Sequence, residues 1–298
     1  MLRTTEFKER YIDPKTDFGF KYLFGTDMNK DLLIDFLNAL FNSRHKIEHV
    51  TFLKNEHLSG TYEERRAIFD VYCETDAGEK FIVEMQNVYQ QFFKDRSIYY
   101  STFPIREQAQ RGDWNFRLEA VYTIGILNFV FDEDKASAEC VHHEVKLMDT
   151  TTRKVFFDKL TFIYLELPKF TKTENELETS FDKWIYVLKN LSRLLERPAA
   201  LQERIFTRLF EAAEIARFTP KQQQAYEDSI KAYRDITNAV RTAKKEGIAE
   251  GKALGLAEGE MKKGFEIAQN LKRLGISPAT ISQATGLSEE EINDIPTD

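Results

Sequence analysis

The sequence predicts an α/β fold that is followed by a helical C-terminal part. A β-hairpin signal centred on the turn 75–78 is followed directly by a helical pattern and then by a strand-like apolar run. A strand–helix–strand crossover normally returns the second strand parallel to the first in the same sheet. Aromatic residues are dense up to about Phe170 and sparse after Tyr233, which marks a domain boundary.

Two short helices are expected before the hairpin. Apolar residues recur at helical spacing from Phe18 to Leu23 and from Leu32 to Leu40, with a break at 25–27. The hairpin arms, 67–74 and 80–86, alternate between apolar and polar residues, as strands do. The order up to residue 86 is thus helix, helix, hairpin.

After the hairpin, the pattern indicates one helix, three strands and then only helices. The expected helix is 88–111, and the expected strands are 119–131, 140–148 and 155–167, the last two joined by the turn 149–153. Helical periodicity returns in the segments 181–196, 198–217 and 220–245, where Pro198 and Pro220 stand at helix starts.

The sequence ends in a glycine-rich repeat and a short helical tail. Glycine occupies positions 247, 251, 255, 259 and 264, and alanine occupies 249, 253 and 257. The repeat is either a semi-flexible linker, because each glycine costs a helix about 1 kcal/mol, or a small-residue seam along which helices of two subunits pack. The tail 271–295 predicts a small helix-turn-helix capped at Ser277 and Ser288, although its acidic second helix is unsuited to a DNA groove.

Composition argues against several classes of protein. The 298 residues carry 42 basic and 49 acidic side chains, and the net charge of −7 argues against general attraction to nucleic acids or anionic membranes. Cys73 and Cys140 are too few for a disulfide framework and lack zinc-ligand spacing. The charged N-terminus and the interrupted apolar run 120–131 predict neither secretion nor membrane insertion, so we expect a cytoplasmic protein with no membrane partner.

Two acidic residues of the hairpin are the strongest candidates for chemistry. Asp70 and Glu84 are equidistant from Ala77, so a symmetric turn places them opposite each other, and Gln86 shares their face. The other face carries apolar residues suited to a core: Phe69, Val71, Cys73, Phe81, Val83 and Met85. Carboxylates on neighbouring strands suit a divalent cation such as Mg²⁺, which favours hydrolysis of a phosphodiester. Because both acids lie on the functional face, alanine at either position should leave the melting temperature little changed.

A second set of residues matches the textual pattern of a metal nuclease more closely. Asp132 is followed by Glu144 and Lys146, which complete the aspartate, glutamate and lysine of that pattern. Context favours the hairpin set, because Asp132 lies in a charged turn whereas Asp70 lies inside an apolar strand. Lys146 also leads into another strand, whereas Gln86 leads into a helix.

Four segments together carry a family resemblance. They are Asp17-Phe-Gly-Phe-Lys-Tyr-Leu-Phe-Gly25, Arg66-Ala-Ile-Phe-Asp70-Val71, Phe81-Ile-Val-Glu84-Met-Gln86 and Arg96-Ser-Ile-Tyr-Tyr100. In this order they resemble the Rpn family of recombination-promoting nucleases, also called transposases, within the PD-(D/E)XK nuclease superfamily. The resemblance covers about 11–170, and the repeat and tail are similar to those of family members. It implies a restriction-endonuclease-like mixed sheet flanked by helices, with an α-helical C-terminal extension.

The resemblance also assigns roles to residues. It implies Asp70 and Glu84 as metal ligands and, with Gln86, as the catalytic set, with Mg²⁺ as the cofactor, Mn²⁺ as a substitute and DNA as the substrate. Gln86 replaces the superfamily's usual lysine, and an amide brings no positive charge. The family itself commonly has glutamine here, so activity is still expected. Lysine at position 86 should therefore retain or raise activity.

Five further residues are candidates for a role at or near the site, and for four of them the sequence leaves two roles open. Asp17 is either an additional acidic group near the metal or the N-cap of a helix that begins at Phe18. Arg96 either contacts a DNA phosphate or forms a surface salt bridge. Arg106 and Arg111 either guide DNA or belong to a solvated helix face, and Tyr100 is expected at the DNA-binding surface.

We therefore expect a Mg²⁺-dependent DNA endonuclease that promotes recombination or acts against foreign DNA. The alternative is a catalytically inactive nuclease fold that serves as an oligomerisation or protein-binding module. The expected division is a nuclease-like core at 1–170, a helical extension packed on it at 171–240, the repeat at 241–264 and a small helical segment at 265–298. We also expect a homo-oligomer formed through the C-terminal segment.

Overall fold

The computed structural model describes residues 9–41, 46–53, 69–109, 112–132 and 140–296. The chain divides into two compact units, Met1–Arg234 and Asp235–Asp298, and each is described by itself. Residues 66–68 of the second motif and Arg111, for which the sequence predicted a DNA contact, lie outside the described residues.

The first unit is built around one mixed sheet. Its described strands are β1 (Val50–Phe52), β2 (Val71–Thr75), β3 (Lys80–Gln86), β4 (Val121–Leu127), β5 (His142–Met148) and β6 (Val155–Glu166). They lie in the order β1-β2-β3-β4-β6-β5, with β3, β4 and β6 parallel and the three other pairings antiparallel. The predicted restriction-endonuclease-like mixed sheet is confirmed. Only β1 was not predicted, because three residues are too few to show a period.

Helices lie on both faces of this sheet. They are α1 (Asp17–Phe24), α2 (Lys30–Leu40), α3 (Phe93–Glu107), α4 (Ser180–Asn190), α5 (Arg204–Ala213) and the beginning of α6 (Pro220–Arg273). α3 connects β3 to β4, which run parallel, so the crossover predicted from the hairpin is present. Every residue of β4 is buried, as expected for a parallel strand covered on both faces.

The main hydrophobic core lies between one face of the sheet and α1, α2, α4 and α5. Trp184 of α4 is fully buried, and its ring centroid lies 5.8 Å from those of both Phe24 and Phe36. Its indole N–H donates to Asp35 Oδ1 at 2.7 Å, which satisfies a donor that burial would otherwise leave without a partner. The helices that follow the sheet in sequence thus share its core.

A smaller apolar cluster lies on the other face, beneath α3. It contains Phe69, Tyr72, Ile82 and Phe103. The prediction that Phe69 shares the opposite face with Val71 is wrong, because Phe69 precedes β2 and its ring packs against Tyr72 and Phe103. The other five residues of the predicted apolar face, Val71, Cys73, Phe81, Val83 and Met85, do lie in the main core.

The second unit consists of the rest of α6, α7 (Pro278–Thr285) and α8 (Glu289–Asp294). α6 runs through the glycine repeat without a break, and an added Cβ at Gly247, Gly251, Gly255 or Gly259 would meet nothing within 4 Å. The continuous helix argues against a semi-flexible linker, and packing of two subunits along a small-residue seam stays a prediction. No described helix combines enough length with enough apolar residues to traverse a lipid bilayer.

The predicted caps of the short tail helices are present. The side chain of Ser277 accepts from Thr280 N, and that of Ser288 accepts from Glu291 N. The two helices pack on the end of α6 through a small core that contains Ala268, Ile281, Leu287, Ile292 and Ile295. The divisions predicted at 170, 240 and 264 stay predictions, while the two compact units meet at residue 234.

Candidate active site

The register of the β2–β3 hairpin brings Asp70 and Glu84 together. Val71 pairs with Val83, so Asp70, one residue before, stands opposite Glu84, one residue after. Asp70 Oδ2 accepts a hydrogen bond from Met85 N at 2.8 Å, which ties this carboxylate to the neighbouring strand. The structure thus places the two acids as the symmetric-turn argument predicted.

Both carboxylates are largely removed from water. The side chain of Asp70 is 19% exposed and that of Glu84 is 12% exposed. Burial raises the pKa of Glu84 to about 7; Arg96 opposes this shift and the charge of Asp70 adds to it. Burial likewise raises the pKa of Asp70, against the lowering effects of the Met85 N–H and Lys21. The site therefore holds two acids whose charges are incompletely compensated by the protein.

Arg96 supplies positive charge at the position where Gln86 brings none. Its Nη2 donates to Gln86 Oε1 at 2.7 Å and lies 3.8 Å from Glu84 Oε2. Its Nη1 donates to Gln90 Oε1, and the guanidinium lies near the ring of Tyr100, 5.7 Å from its centroid. Gln86, Gln90 and Tyr100 thus hold Arg96 beside Glu84. Neither alternative from the sequence, a contact with a DNA phosphate or a surface salt bridge, describes this arrangement.

Both polar atoms of the Gln86 side chain have a partner in this arrangement. While its Oε1 accepts from Arg96, its Nε2 donates to Val88 O at 2.9 Å, within the turn that leads to α3. The amide therefore has a defined orientation, with oxygen toward the guanidinium, because a flipped amide would place two donors face to face. In this geometry Gln86 orients Arg96.

Helix α1 adds a residue that the sequence analysis did not single out. Lys21 Nζ lies 3.7 Å from Asp70 Oδ1 and also donates to Asp17 Oδ1, four residues earlier on the same helix face. The signal was present in the first motif, where Asp17 and Lys21 stand one helical turn apart. Lys21 therefore links the first motif to the second.

The position of Asp17 corrects its interpretation as an N-cap. The helix begins at Asp17 itself, and the cap is Thr16, whose Oγ1 accepts from Gly19 N at 3.1 Å. The Asp17 side chain is 67% exposed, and its negative charge contributes to the raised pKa of Asp70. Asp17 thus stands at the rim of the site, joined to it through Lys21.

Two further residues predicted to contact DNA, Tyr100 and Arg106, lie at different distances from the acids along α3. Tyr100 is half-buried, with its ring 5.2 Å from that of Phe69, and burial, followed by the charge of Glu84, raises its pKa. Arg106 is exposed and lies ten residues beyond Arg96, about 15 Å along the helix at 1.5 Å per residue. The structure therefore brings Arg96 and Tyr100 to the two acids but leaves Arg106 at the far end of α3.

The second sequence match lies elsewhere in the sheet. Glu144 and Lys146 stand on β5, which β4 and β6 separate from β3, a distance of about 14 Å at 4.8 Å per strand. Their side chains form an ion pair of 2.7 Å with each other, and Asp132 is exposed after the end of β4. The buried acids of the hairpin are therefore the candidate site.

The donor set of the hairpin fits a cation of the Mg²⁺ type. Among the described residues no group of three or more His, Cys, Asp and Glu side chains is arranged to hold a metal ion. Asp70 and Glu84 remain as a pair of oxygen donors, and Mg²⁺ is commonly bound through one or two carboxylates while it keeps several waters. Burial is the main cause of the raised pKa of both acids, Lys21 and Arg96 offset it only in part, and such a cation would supply further positive charge.

Comparison with known proteins identifies the family. Residues 14–243 match the family model described as PD-(D/E)XK nuclease family transposase. This match begins before α1 and therefore includes both arms of the hairpin, α3 and the first part of α6. Searches of the curated proteins and of the solved structures found no match.

Proposed function

This chain belongs to the PD-(D/E)XK nuclease family transposases, and we propose that it is a metal-dependent DNA endonuclease whose active site is formed by Asp70 and Glu84. The observation that carries the proposal is the pair of acids that the β2–β3 hairpin places opposite each other, both largely removed from water and both with raised pKa values. Such a pair is costly for the fold by itself, and perturbed acids of this kind cluster at functional sites.

Asp70 and Glu84 would hold Mg²⁺, or Mn²⁺ as its substitute, and the bound ion would supply the Lewis acidity that phosphodiester hydrolysis needs. Asp70 is oriented for this task by two contacts. Its Oδ2 is tied to Met85 N, and its Oδ1 faces Lys21. Because Oδ1 carries only a long ion pair, it is the oxygen of Asp70 that is available to a metal.

Arg96 is the residue that we assign to the scissile phosphate. A guanidinium beside the acids binds a phosphate oxygen through paired N–H donors and stabilises the negative charge that develops during hydrolysis. Gln86 acts as a positioning residue, because its amide oxygen accepts from Arg96 and its amide nitrogen is anchored to Val88 O. Tyr100, which faces the same guanidinium, completes the DNA-binding side of the site.

The wider role follows from this activity. A DNA endonuclease of this family would act in recombination or against foreign DNA in the cytoplasm, and self-association through the C-terminal segment would bring two active sites to one substrate. Asp17 and Arg106 would contribute only at the rim of the site or along α3, in accordance with their exposure.

A second function is favoured by one observation. Both polar atoms of the Gln86 side chain already have a partner within the protein, so the residue at the usual lysine position is engaged in positioning Arg96. A nuclease fold that binds metal without cleaving DNA, and serves as an oligomerisation or protein-binding module, would have this property. The two functions differ in DNA cleavage.

Metal titration and plasmid nicking test the proposal together. The wild-type protein should bind Mn²⁺ and Mg²⁺ in isothermal titration and nick supercoiled plasmid, and EDTA should stop the nicking. Asp70→Asn preserves an oxygen that accepts from Met85 N but removes the charge, so we expect it to fold normally and to lose at least about 100-fold in both assays. Asp132→Asn makes the same change in the second sequence match and should behave as wild type.

The outcomes separate the alternatives. Wild-type protein that binds metal in a manner dependent on Asp70 but never nicks DNA supports the inactive module. Nicking that survives Asp70→Asn and disappears in Asp132→Asn contradicts the site assignment. Nicking that continues in EDTA contradicts metal dependence.

A further inference from the structure

Strand β5 forms one edge of the sheet in the part of the chain that the structure describes, and its surroundings are unusually apolar. Large apolar side chains on β5 and at the start of β6 are exposed: Val145 by 47%, Leu147 by 46%, Met148 by 53%, Val155 by 55% and Phe156 by 80%. We call these five side chains the edge patch. Monomeric proteins usually protect a sheet edge with charges, proline or a covering segment, and exposed apolar patches mark interaction surfaces.

The register between β5 and β6 determines which backbone groups of β5 point to the open edge of the sheet. Glu166 N donates to Val141 O at 2.9 Å, and the register pairs His143 with Tyr164 and Val145 with Phe162. In an antiparallel ladder the residues that bond to one neighbour alternate with those that point away. The N–H and C=O groups of 142, 144 and 146 therefore point to the edge, away from β6.

The direction of these backbone groups and the charges of β5 together favour one register for pairing of the strand with a copy of itself. A symmetric antiparallel pairing that uses the edge-facing groups is centred on one of the residues 142–146, and a centre at His142 or His143 leaves Lys146 opposite residues that precede β5. A centre at Glu144 or at Lys146 places like charges directly opposite each other, which is unfavourable. A centre at Val145 places Glu144 opposite Lys146 of the partner subunit, and the reverse, so two ion pairs form.

We infer that β5 pairs with β5 of a second copy of this chain about a two-fold axis at Val145, which joins two six-stranded sheets into one. Glu144 and Lys146, which pair within one strand at 2.7 Å in the single chain, would exchange partners across the axis. The edge patch would lie at or beside the new interface. This inference is independent of the nuclease proposal and uses a surface different from the C-terminal segment.

Disulfide trapping tests the pairing at the axis itself. We propose full-length Val145→Cys in a Cys140→Ser background, because Cys140 is exposed whereas Cys73 is buried. Directly opposed residues in a non-hydrogen-bonded antiparallel pair have Cα atoms about 4.5 Å apart, which is within the range for a disulfide. Mild oxidation should therefore convert most of this protein to a covalent dimer on a non-reducing gel.

Val155→Cys is the matched control, because Val155 is at least as exposed as Val145 but lies on β6 away from the axis. It should form at least about fivefold less dimer at the same protein concentration. Equal trapping at both positions would mean collision between exposed thiols and would overturn the inference. Val155→Cys also controls for association through the C-terminal segment, because proximity of two chains alone would trap both positions.

Charge reversal then tests the register. In the Val145→Cys background, Glu144→Lys and Lys146→Glu each place like charges across the axis, and each should reduce trapping at least about fivefold. An equal mixture of the two variants restores opposite charges on both sides and should recover the parental yield as a heterodimer, which a mass tag on one variant identifies. Trapping that ignores the charges, or a mixture that fails to recover it, contradicts this register. All substitutions are at exposed or partly exposed positions, and circular dichroism checks the fold.

Discussion

Two regions of the same sheet carry an aspartate and glutamate pattern, yet they offer different chemistry. In the β2–β3 hairpin, Asp70 and Glu84 lie opposite each other and are largely removed from water, and burial raises the pKa of Glu84 to about 7. On β5, Glu144 is exposed to solvent and pairs with Lys146 along its own strand. The comparison teaches that the spacing of acidic residues does not by itself identify a functional site, whereas shared burial without enough compensating charge is what favours the hairpin acids as the candidate.

The largest effect that would sharpen this comparison is expected at Arg96, the cation closest to Glu84 on α3. Arg96→Ala should lower the rate of plasmid nicking by about 100- to 1,000-fold, as loss of a donor to a developing charge does, while metal binding measured by titration persists. Arg106→Ala removes the same charge about 15 Å along α3 and should change nicking less than about threefold. Equal losses in the two variants would contradict the special position of Arg96.

Glu84 should reveal its burial through the pH dependence of stability in the metal-free protein. Since its folded pKa of about 7 lies above the unfolded value, the folded state keeps its proton while the unfolded state ionises between about pH 4.5 and 7. Stability is therefore lost as pH rises through this window, by about 3 kcal/mol in full.

Glu84→Gln removes that penalty and should raise the urea midpoint at pH 8 but not at pH 4.5. The comparison requires EDTA in both samples, because a bound cation would compensate the charge. Glu144→Gln, an exposed acid of the β5 edge, should show no such dependence on pH. A Glu84→Gln effect of equal size at both pH values would mean that burial of the charge is not its cause.

Asp70 should separate the structural from the chemical part of the site. Asp70→Ala leaves the N–H of Met85, in a buried strand, without its partner, so we expect a loss of about 1–3 kcal/mol in the free energy of unfolding. This differs from the expectation that alanine is harmless there, which assumed an accessible face. Asp70→Asn retains an acceptor and should lose less, and the difference between the two urea midpoints measures the hydrogen bond.

The smallest effect is expected at Gln86, where geometry reverses the expectation from sequence. Lysine at this position would remove the acceptor of Arg96 and place a second cation beside it, so Gln86→Lys should lower nicking by about tenfold. Gln86→Glu retains an acceptor for the guanidinium and serves as the matched variant. Raised activity in folded Gln86→Lys would restore the view that this position acts directly on the water or phosphate.

The hairpin was predictable because its information is local. Alternation along 80–86 and the turn chemistry at 75–78 determine which residues face each other, and the observed pairing of Val71 with Val83 follows from that symmetry. The preference for Asp70 over Asp132 rested on local context, which placed Asp70 inside an apolar strand and Asp132 in a charged turn; the structure places Asp70 one residue before β2, and the assignment of the site stays a prediction. The family motifs then added the sheet type, which is confirmed, and the metal chemistry, which stays a prediction.

The predictions that were wrong or incomplete concern properties that a local sequence pattern does not determine. The face predicted for Phe69 is wrong because the alternation of the strand does not extend to a residue two positions before β2. The N-cap of α1 is Thr16 rather than Asp17 because helix ends depend on cap geometry. The role of Lys21 is not predictable from the first motif, in which it lies, because its contact with Asp70 joins segments about 50 residues apart.

The sequence by itself determined the strand and helix order, the face that Asp70 shares with Glu84, and the family. Those properties depend on periodicity and short motifs, which act within a few residues of each other. Only the tertiary structure decided how deeply the acids are buried, that Arg96 reaches back to Gln86 and Glu84, and that β5 lies at an edge of the described sheet. Electrostatics depends on the dielectric surroundings and on distances between remote segments, and these exist only once the chain has folded.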